Sequence, residues 1–181
     1  MKRFILTGAP GAGKTSILRA LAADGYAVVA EAATDVVASR LALEEAEHWA
    51  DPLFIERIAA LQRQRRQAPV PPGVTVQVHD RSAVCTLALA RYLGQPVPPV
   101  LEQEIAWATG DGSFDRRVFF VRLLGFIEAT AVRRISYAES QAFERIHQEA
   151  YRSLGFDLVD VPAGTVAERA AAVGTHIRSW A

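Results

Sequence analysis

With 181 residues, half of them apolar and 22% charged, the chain carries enough apolar material for a packed core and lacks the charge excess of a disordered one. Twenty basic residues balance twenty acidic ones, so no global field draws it to nucleic acid or to an anionic membrane, although local basic patches remain open. The single cysteine, Cys85, excludes an intrachain disulfide and a thiolate metal cluster.

Phe4-Ile5-Leu6-Thr7 is an apolar run that reads as a strand, and Ser16 to Ala23 reads as a helix. Between them stands Gly8-Ala9-Pro10-Gly11-Ala12-Gly13-Lys14-Thr15, the G-x-x-x-x-G-K-[ST] phosphate loop in its required strand–loop–helix context. The glycines let backbone N–H groups turn inward and approach phosphates closely, and the helix that follows aims its positive end at the same anion. Gly8 to Ser16 are therefore the expected nucleotide contacts, with Lys14 on the β- and γ-phosphates and the Thr15 hydroxyl on Mg²⁺. Eighteen of the twenty basic residues are arginine, and the lysines are only Lys2 and Lys14. A coding bias explains the arginines but not the lysine kept at the loop.

Asp24-Gly25 is a turn signal, and Tyr26 to Ala30 then reads as a second strand ending at Glu31. Ala32 to Trp49 is helical by composition, with Val36, Val37 and Leu41 inward. Asp51-Pro52 reads as an N-cap with proline at the first helical position, opening a helix that carries Phe54, Ile58 and Leu61 on one face. Its end is basic (Arg63, Arg65, Arg66) and reads as a solvated helix end. Val74 to His79 is a strand running into Asp80-Arg81-Ser82, and Ser82 caps the next helix, which Gly94 closes. Cys85 falls in the apolar pattern of that helix as a core residue. A proline-rich link leads to a helix through Leu101, Ile105 and Trp107. Arg117 to Val121 is a strand, followed by an irregular stretch to Ile135. Ser136 to Glu139 matches a capping box, and the helix behind it places Phe143, Ile146, Ala150 and Leu154 on one stripe. Phe156 to Val161 is the last strand. A second capping box at Thr165 opens a final helix with Val166, Ala170, Val173 and Ile177 inward.

Five strands alternating with helices predict an α/β doubly wound parallel sheet in one domain over residues 1–181. Right-handed crossovers put all strand C-termini, and so Gly8, Glu31, Asp80, Arg122 and Pro162, on one ligand-binding edge. Val74–His79 alternates apolar and polar residues, which a central parallel strand should not. Either its polar face meets polar helix groups, or the strand lies nearer an edge.

Asp80, ending the strand beside the phosphate loop, is placed to position Mg²⁺ or to take the proton of an attacking hydroxyl; an N-cap or salt-bridge role is the bland alternative. Arg81 stands to contact an acceptor or a phosphate, or to pair with Glu31. Glu31 faces the acceptor cleft as a hydrogen-bond acceptor, or is a helix-start carboxylate. Arg133 and Arg134 lie where a lid would neutralise charge on the transferred phosphoryl. Ala163 and Gly164, in the loop after the last strand, are placed to flank a nucleotide base. The four histidines show no metal-binding spacing. No long apolar run and no leader-like N-terminus are present, so no membrane contact and a cytoplasmic location are expected.

The chain resembles the AAA-domain predicted ATPases, P-loop proteins related to nicotinamide-riboside-kinase domains and more distantly to nucleoside and nucleotide kinases. The resemblance runs from Lys2 to about Ile177. It rests on Arg3 to Gly8 entering the phosphate loop, Gly25 to Val29 leading to Glu31-Ala32-Ala33, and Asp80-Arg81. Leu93-Gly94 before Pro96 to Pro99, and Arg133-Arg134 before a helix ending at Tyr151 to Phe156, complete it. It implies a three-layer P-loop NTPase fold with a five-stranded parallel sheet, ATP and Mg²⁺ as ligands, and catalytic roles for Lys14, Asp80, Arg133 and Arg134. It also implies nucleotide contacts from Gly8 to Ser16 and an acceptor-side role for Glu31. Two departures are Thr130-Ala131 where relatives often have Asp-Gly, and Thr34 where an arginine is common. The expected activity is transfer of the γ-phosphoryl of ATP to a hydroxyl of a small-molecule acceptor. The alternative is a slow ATPase or nucleotide-dependent switch acting through a protein partner; a guanine switch lacks its Asn-Lys-x-Asp segment here.

Overall fold

The chain is described from a computed structural model that covers residues 1–43, 48–111, 113–124 and 136–181. In β1 (Lys2–Thr7) the residues Phe4, Ile5, Leu6 and Thr7 are wholly buried, because helices cover both faces of the strand. α1 (Lys14–Ala23), β2 (Ala27–Val29), α2 (Ala32–Leu41), a 3₁₀ turn (His48–Ala50) and α3 (Phe54–Gln67) follow. Next come β3 (Val76–Asp80), α4 (Ala83–Leu93), α5 (Pro99–Thr109) and β4 (Arg117–Val121). The chain ends with α6 (Tyr137–Ser153), β5 (Asp157–Val161) and α7 (Val166–Trp180).

The five strands form one parallel sheet in the order β2-β3-β1-β4-β5. Phe4, Leu6, Val78, Phe119 and Val121 face α1 and α7, against Ile17, Leu21, Val173 and Ile177. Ile5 and Val118 point the other way, onto α4 and α6 through Val84, Ala88, Phe143 and Tyr151. That is the expected three-layer α/β arrangement. A third apolar cluster joins α2, α3, α4 and α5 through Val36, Phe54, Ile58 and Leu101. The order of connections reverses between β3 and β1, which opens a crevice at their C-terminal ends. The register sets Leu6 beside Asp80, so the phosphate loop and Asp80 emerge side by side.

The polar alternation of β3 has its cause in the layer behind it. The strand is interior to the sheet, and its polar face meets polar groups. His79 Nε2 lies 2.9 Å from Gln77 Oε1, and its ring meets the edge of Phe114 at 4.9 Å. Beside them the Arg66 guanidinium stacks 4.1 Å over Trp107. Burial, with Arg3 and Arg66 close by, pushes His79 down to about 3, so it stays neutral.

Several local expectations shift. α2 stops at Leu41 instead of running to Trp49, where Leu43 N–H tightens the last turn onto Arg40 O. A longer helix would carry Glu44, Glu45 and Glu47 at its negative end; residues 44–47 lie outside the described ones. Asp51 does not cap α3, whose N-cap is Leu53. Its carboxylate instead accepts from Leu53 N–H at 2.9 Å and pairs with Arg40 and Arg57, a local bond that competes with a helix start. Val166 is exposed at the first turn of α7, ahead of the point where the helix meets the sheet. Both capping boxes, at Ser136 and Thr165, form as expected.

The basic end of α3 is not simply solvated. Arg63 and Arg66 converge on Glu104 of α5, each at 2.8 Å, and Glu104 is buried. Arg65 donates to Ala30 O and pairs with Asp35. Removing Glu104 leaves two guanidiniums facing each other across a buried gap. Glu104→Ala is expected to cost about 2 kcal/mol, less than the loss of a fully buried pair because both arginines are partly exposed. The melting temperature should fall by roughly 4–8 °C in calorimetry for a chain of this size. Glu102→Ala, on the exposed face of the same helix, should stay within about 0.5 kcal/mol.

A candidate phosphoryl-transfer site at the sheet's carboxyl edge

The loop from Gly8 to Gly13 turns on three glycines with φ of 137° (Gly8), 88° (Gly11) and 84° (Gly13), conformations that disfavour other residues. At Gly8 the constraint is also one of space. A Cβ there would sit 2.3 Å from Val121 O, because the loop passes directly over the end of β4. Gly13 is the N-cap of α1 and offers no side-chain cap, so the first N–H groups of the helix are left for another acceptor. Thr15 and Ser16 are exposed at that helix start.

Lys14 is buried and curls back over the loop, donating to Gly8 O at 3.0 Å and Ala9 O at 2.9 Å. Burial, together with the nearby Arg81 charge, brings its ammonium down to about 8. Across the crevice Asp80 is buried, and its Oδ1 has no hydrogen-bond partner. Burial, reinforced by the Glu31 charge, lifts its carboxyl to about 6 against the opposing pull of Lys14 and Arg81. An orphaned carboxylate oxygen beside a phosphate loop fits a cation; among the described residues no cluster of three His, Cys, Asp or Glu groups forms an all-protein metal cage.

Arg81 is buried in the left-handed region (φ 70°), rare for a residue with a side chain. Its Nε lies 2.5 Å from Glu31 Oε1 as an ion pair, and its Nη1 donates to His147 Nε2 at 3.1 Å. A guanidinium only donates, so His147 Nε2 accepts and its Nδ1 carries the proton it gives to Phe143 O at 3.1 Å. Burial and the Arg81 charge keep this histidine neutral, well below its ordinary range. Burial raises the Glu31 carboxyl, but Arg81, Lys14 and the Thr34 hydroxyl at 2.9 Å override it and hold Glu31 below the usual carboxylate range. Thr34 thus supports Glu31 directly.

α6 contributes three polar residues from one buried stripe. Ser140 donates to Pro10 O of the loop at 3.3 Å, His147 holds Arg81, and Tyr151 lies 2.8 Å from Ser82 Oγ and 3.1 Å from Cys85 Sγ. Arg169 of α7 donates to Ala12 O and to Arg122 O, both at 2.9 Å. Ser140, Tyr151 and Arg169 are not among the site residues expected from the sequence, and His147 figures there only as a histidine without metal-binding spacing. The one available signal was a polar residue recurring at core spacing on an apolar helix face. Ala163 and Gly164 are exposed on the same edge, next to the Thr165 cap. Arg133 and Arg134 lie outside the described residues. On the α3 and α5 side, a cleft runs from Asp80 and Arg81 to Val29, Gln62, Arg65 and Trp107.

A family model described as an AAA domain matches residues 3–169. Among solved structures, deoxyadenosine kinase from M. mycoides with the products dCMP and a flexible dCDP aligns at a TM-score of 0.62 and 14% identity, over 98% of this chain and 99% of that one. The same enzyme with dCTP aligns at 0.60 and 15% identity, over 99% and 100%. With dATP it aligns at 0.54 and 13% identity, over 97% and 99%. At these identities the likeness is one of fold. No curated protein matches the chain. A match spanning residues 3–169, on a sheet that opens with the phosphate loop, makes the chain a member of the AAA domain family, a P-loop NTPase with the fold of a nucleoside kinase.

Proposed function

We propose that the protein is a small-molecule kinase that moves the γ-phosphoryl of ATP to a hydroxyl of an acceptor. The observation that carries this reading is the pairing of a buried lysine on the phosphate loop with a buried aspartate whose Oδ1 lacks a partner, on adjacent strands at one sheet edge. Such transfers need positioning and charge stabilisation more than covalent help from the protein.

In this reading the N–H groups of Gly8 to Ser16 receive the triphosphate, and Lys14 exchanges its two loop carbonyls for phosphate oxygens. Thr15 and Asp80 would hold Mg²⁺, directly or through water, and the ion would supply charge neutralisation. Glu31, kept ionised by Arg81 and oriented by Thr34, accepts the hydrogen bond of the acceptor hydroxyl. The new bond joins that oxygen to the γ-phosphorus as the β,γ-bridging bond breaks, and the hydroxyl proton passes to the carboxylate. The cleft beside Asp80 and Arg81 gives the acceptor its entry. Arg133 and Arg134 neutralise the moving phosphoryl, and Ala163 and Gly164 flank the adenine. The fold shared with a deoxyadenosine kinase supports an acceptor of metabolite size.

Turnover of ATP with magnesium, alone and with a panel of hydroxyl compounds, tests the reading; a phosphorylated product supports it. Slow hydrolysis indifferent to every acceptor would instead point to the nucleotide-dependent switch. Lys14→Ala should lower nucleotide affinity or turnover by on the order of a hundredfold or more. Its melting temperature should hold or rise, because a buried ammonium is removed. Asp80→Asn should depress kcat and shift the magnesium dependence upward while ATP affinity changes little, as read by steady-state kinetics across a magnesium titration. Lys14 must be charged to hold phosphate, and burial brings its ammonium down to about 8. Nucleotide affinity should therefore fall as pH rises through 8, with proton uptake on binding measurable by calorimetry in buffers of different ionisation enthalpy. Asp80 must be ionised and titrates near 6, so activity should also decline as pH drops through 6, a limb absent in Asp80→Asn.

A further inference from the structure

The carbonyl side of the phosphate loop is braced by Arg169. This residue sits in the first turn of α7 and is 4% exposed. Its Nη1 donates to Ala12 O and its Nη2 to Arg122 O, so one guanidinium fork ties the loop to the end of β4. The C=O of Ala12 and the N–H of Gly13 belong to one planar trans peptide and point in opposite directions. Drawing Ala12 O towards α7 turns Gly13 N–H away from α7, towards the concave side of the loop. The close fit extends to Gly13 itself, where a Cβ would meet Arg169 Nη1 at 3.1 Å.

Charge gives a second, independent reason. No carboxylate among the described residues contacts Arg169, and its Nε is buried without a partner. Burial lowers its pKa and no neighbouring charge is seen to raise it. A buried cation without an acid is costly to the folded chain, and a polyanion on the far side of the loop would offset that cost.

We propose that Arg169 is a positioning residue for the polyphosphate: its fork fixes the Ala12–Gly13 peptide with Gly13 N–H facing the phosphates, and it adds a positive charge behind the loop. The proposal rests on the nucleotide-binding reading above. It acts on the phosphate tail and not on the base, although the Arg169 stem also lies near Gly164, whose Cβ would meet Arg169 Cγ at 3.9 Å.

The test titrates magnesium ATP and, separately, magnesium tripolyphosphate into wild type, Arg169→Met and Arg169→Lys by calorimetry, with melting curves taken without ligand. Arg169→Met is expected to weaken both ligands by the same factor, about tenfold or more, as for loss of charge-assisted hydrogen bonds. Its ligand-free melting temperature should hold, whereas a merely structural arginine would lower that temperature and leave affinity alone. Arg169→Lys keeps the charge but cannot span both carbonyls, and is expected to weaken both ligands by about threefold or more. Wild-type affinity in folded Arg169→Met, or a loss confined to ATP, would overturn the proposal. Should Arg169→Met fail to fold, wild-type affinity in Arg169→Lys would overturn it equally. If wild-type protein bound neither ligand, the nucleotide reading itself would fall and this inference with it.

Discussion

The direction of a few peptide groups in the phosphate loop is the constraint on which the site depends. Two buried cations reach the carbonyl side of that loop, Lys14 at Gly8 and Ala9, and Arg169 at Ala12. The Ala12 carbonyl drawn to Arg169 leaves the Gly13 N–H of the same peptide pointing the opposite way. The loop tolerates this only because Gly8, Gly11 and Gly13 accept positive φ, and because Gly8 leaves room for Val121 O. α7 is thereby bound to the loop by more than apolar packing, and the end of β4 is drawn into the same assembly through Arg122 O.

A second chain of polar contacts runs across the sheet edge. Glu31, Arg81, His147 and Phe143 O form one continuous line from β2 to α6. The sense of the last links is fixed: a guanidinium can only donate, so the histidine must accept with one nitrogen and donate with the other. A neutral, buried His147 is therefore consistent with its surroundings and is not a candidate for charge switching. Arg81 keeps its left-handed backbone with its side chain held by Glu31 and His147, the kind of local strain found where geometry serves a site.

Much of this was legible in the residue string. Element order, the parallel sheet, both capping boxes and the shared edge of Gly8, Glu31 and Asp80 follow from periodicity, turn residues and the handedness of crossovers. The start of α3 was not, because Asp51 looks identical as a helix cap and as the anchor of a turn until Arg40 and Arg57 are placed around it. The basic run in α3 misled for a similar reason, since its partner Glu104 is remote in sequence. Arg169, His147 and Tyr151 were not expected at the site because a polar side chain on an apolar stripe gives no hint of what it bonds to. Their partners are main-chain carbonyls, an arginine and a serine on other elements, and only the folded arrangement supplies them. The polar side of β3 is the converse case, where an odd pattern announced a buried polar layer without saying what composed it.

The two halves of the crevice are mounted very differently. Gly8 and Asp80 issue from β1 and β3, strands flanked by neighbours on both sides, whereas Glu31 follows β2, an edge strand paired over Ala27, Val28 and Val29 alone. A short margin is the part of a sheet that insertions, deletions and small tilts disturb least expensively. Change on the Glu31 side can then be confined to one thin border of the molecule, while the phosphate loop, locked between interior strands, stays as it is.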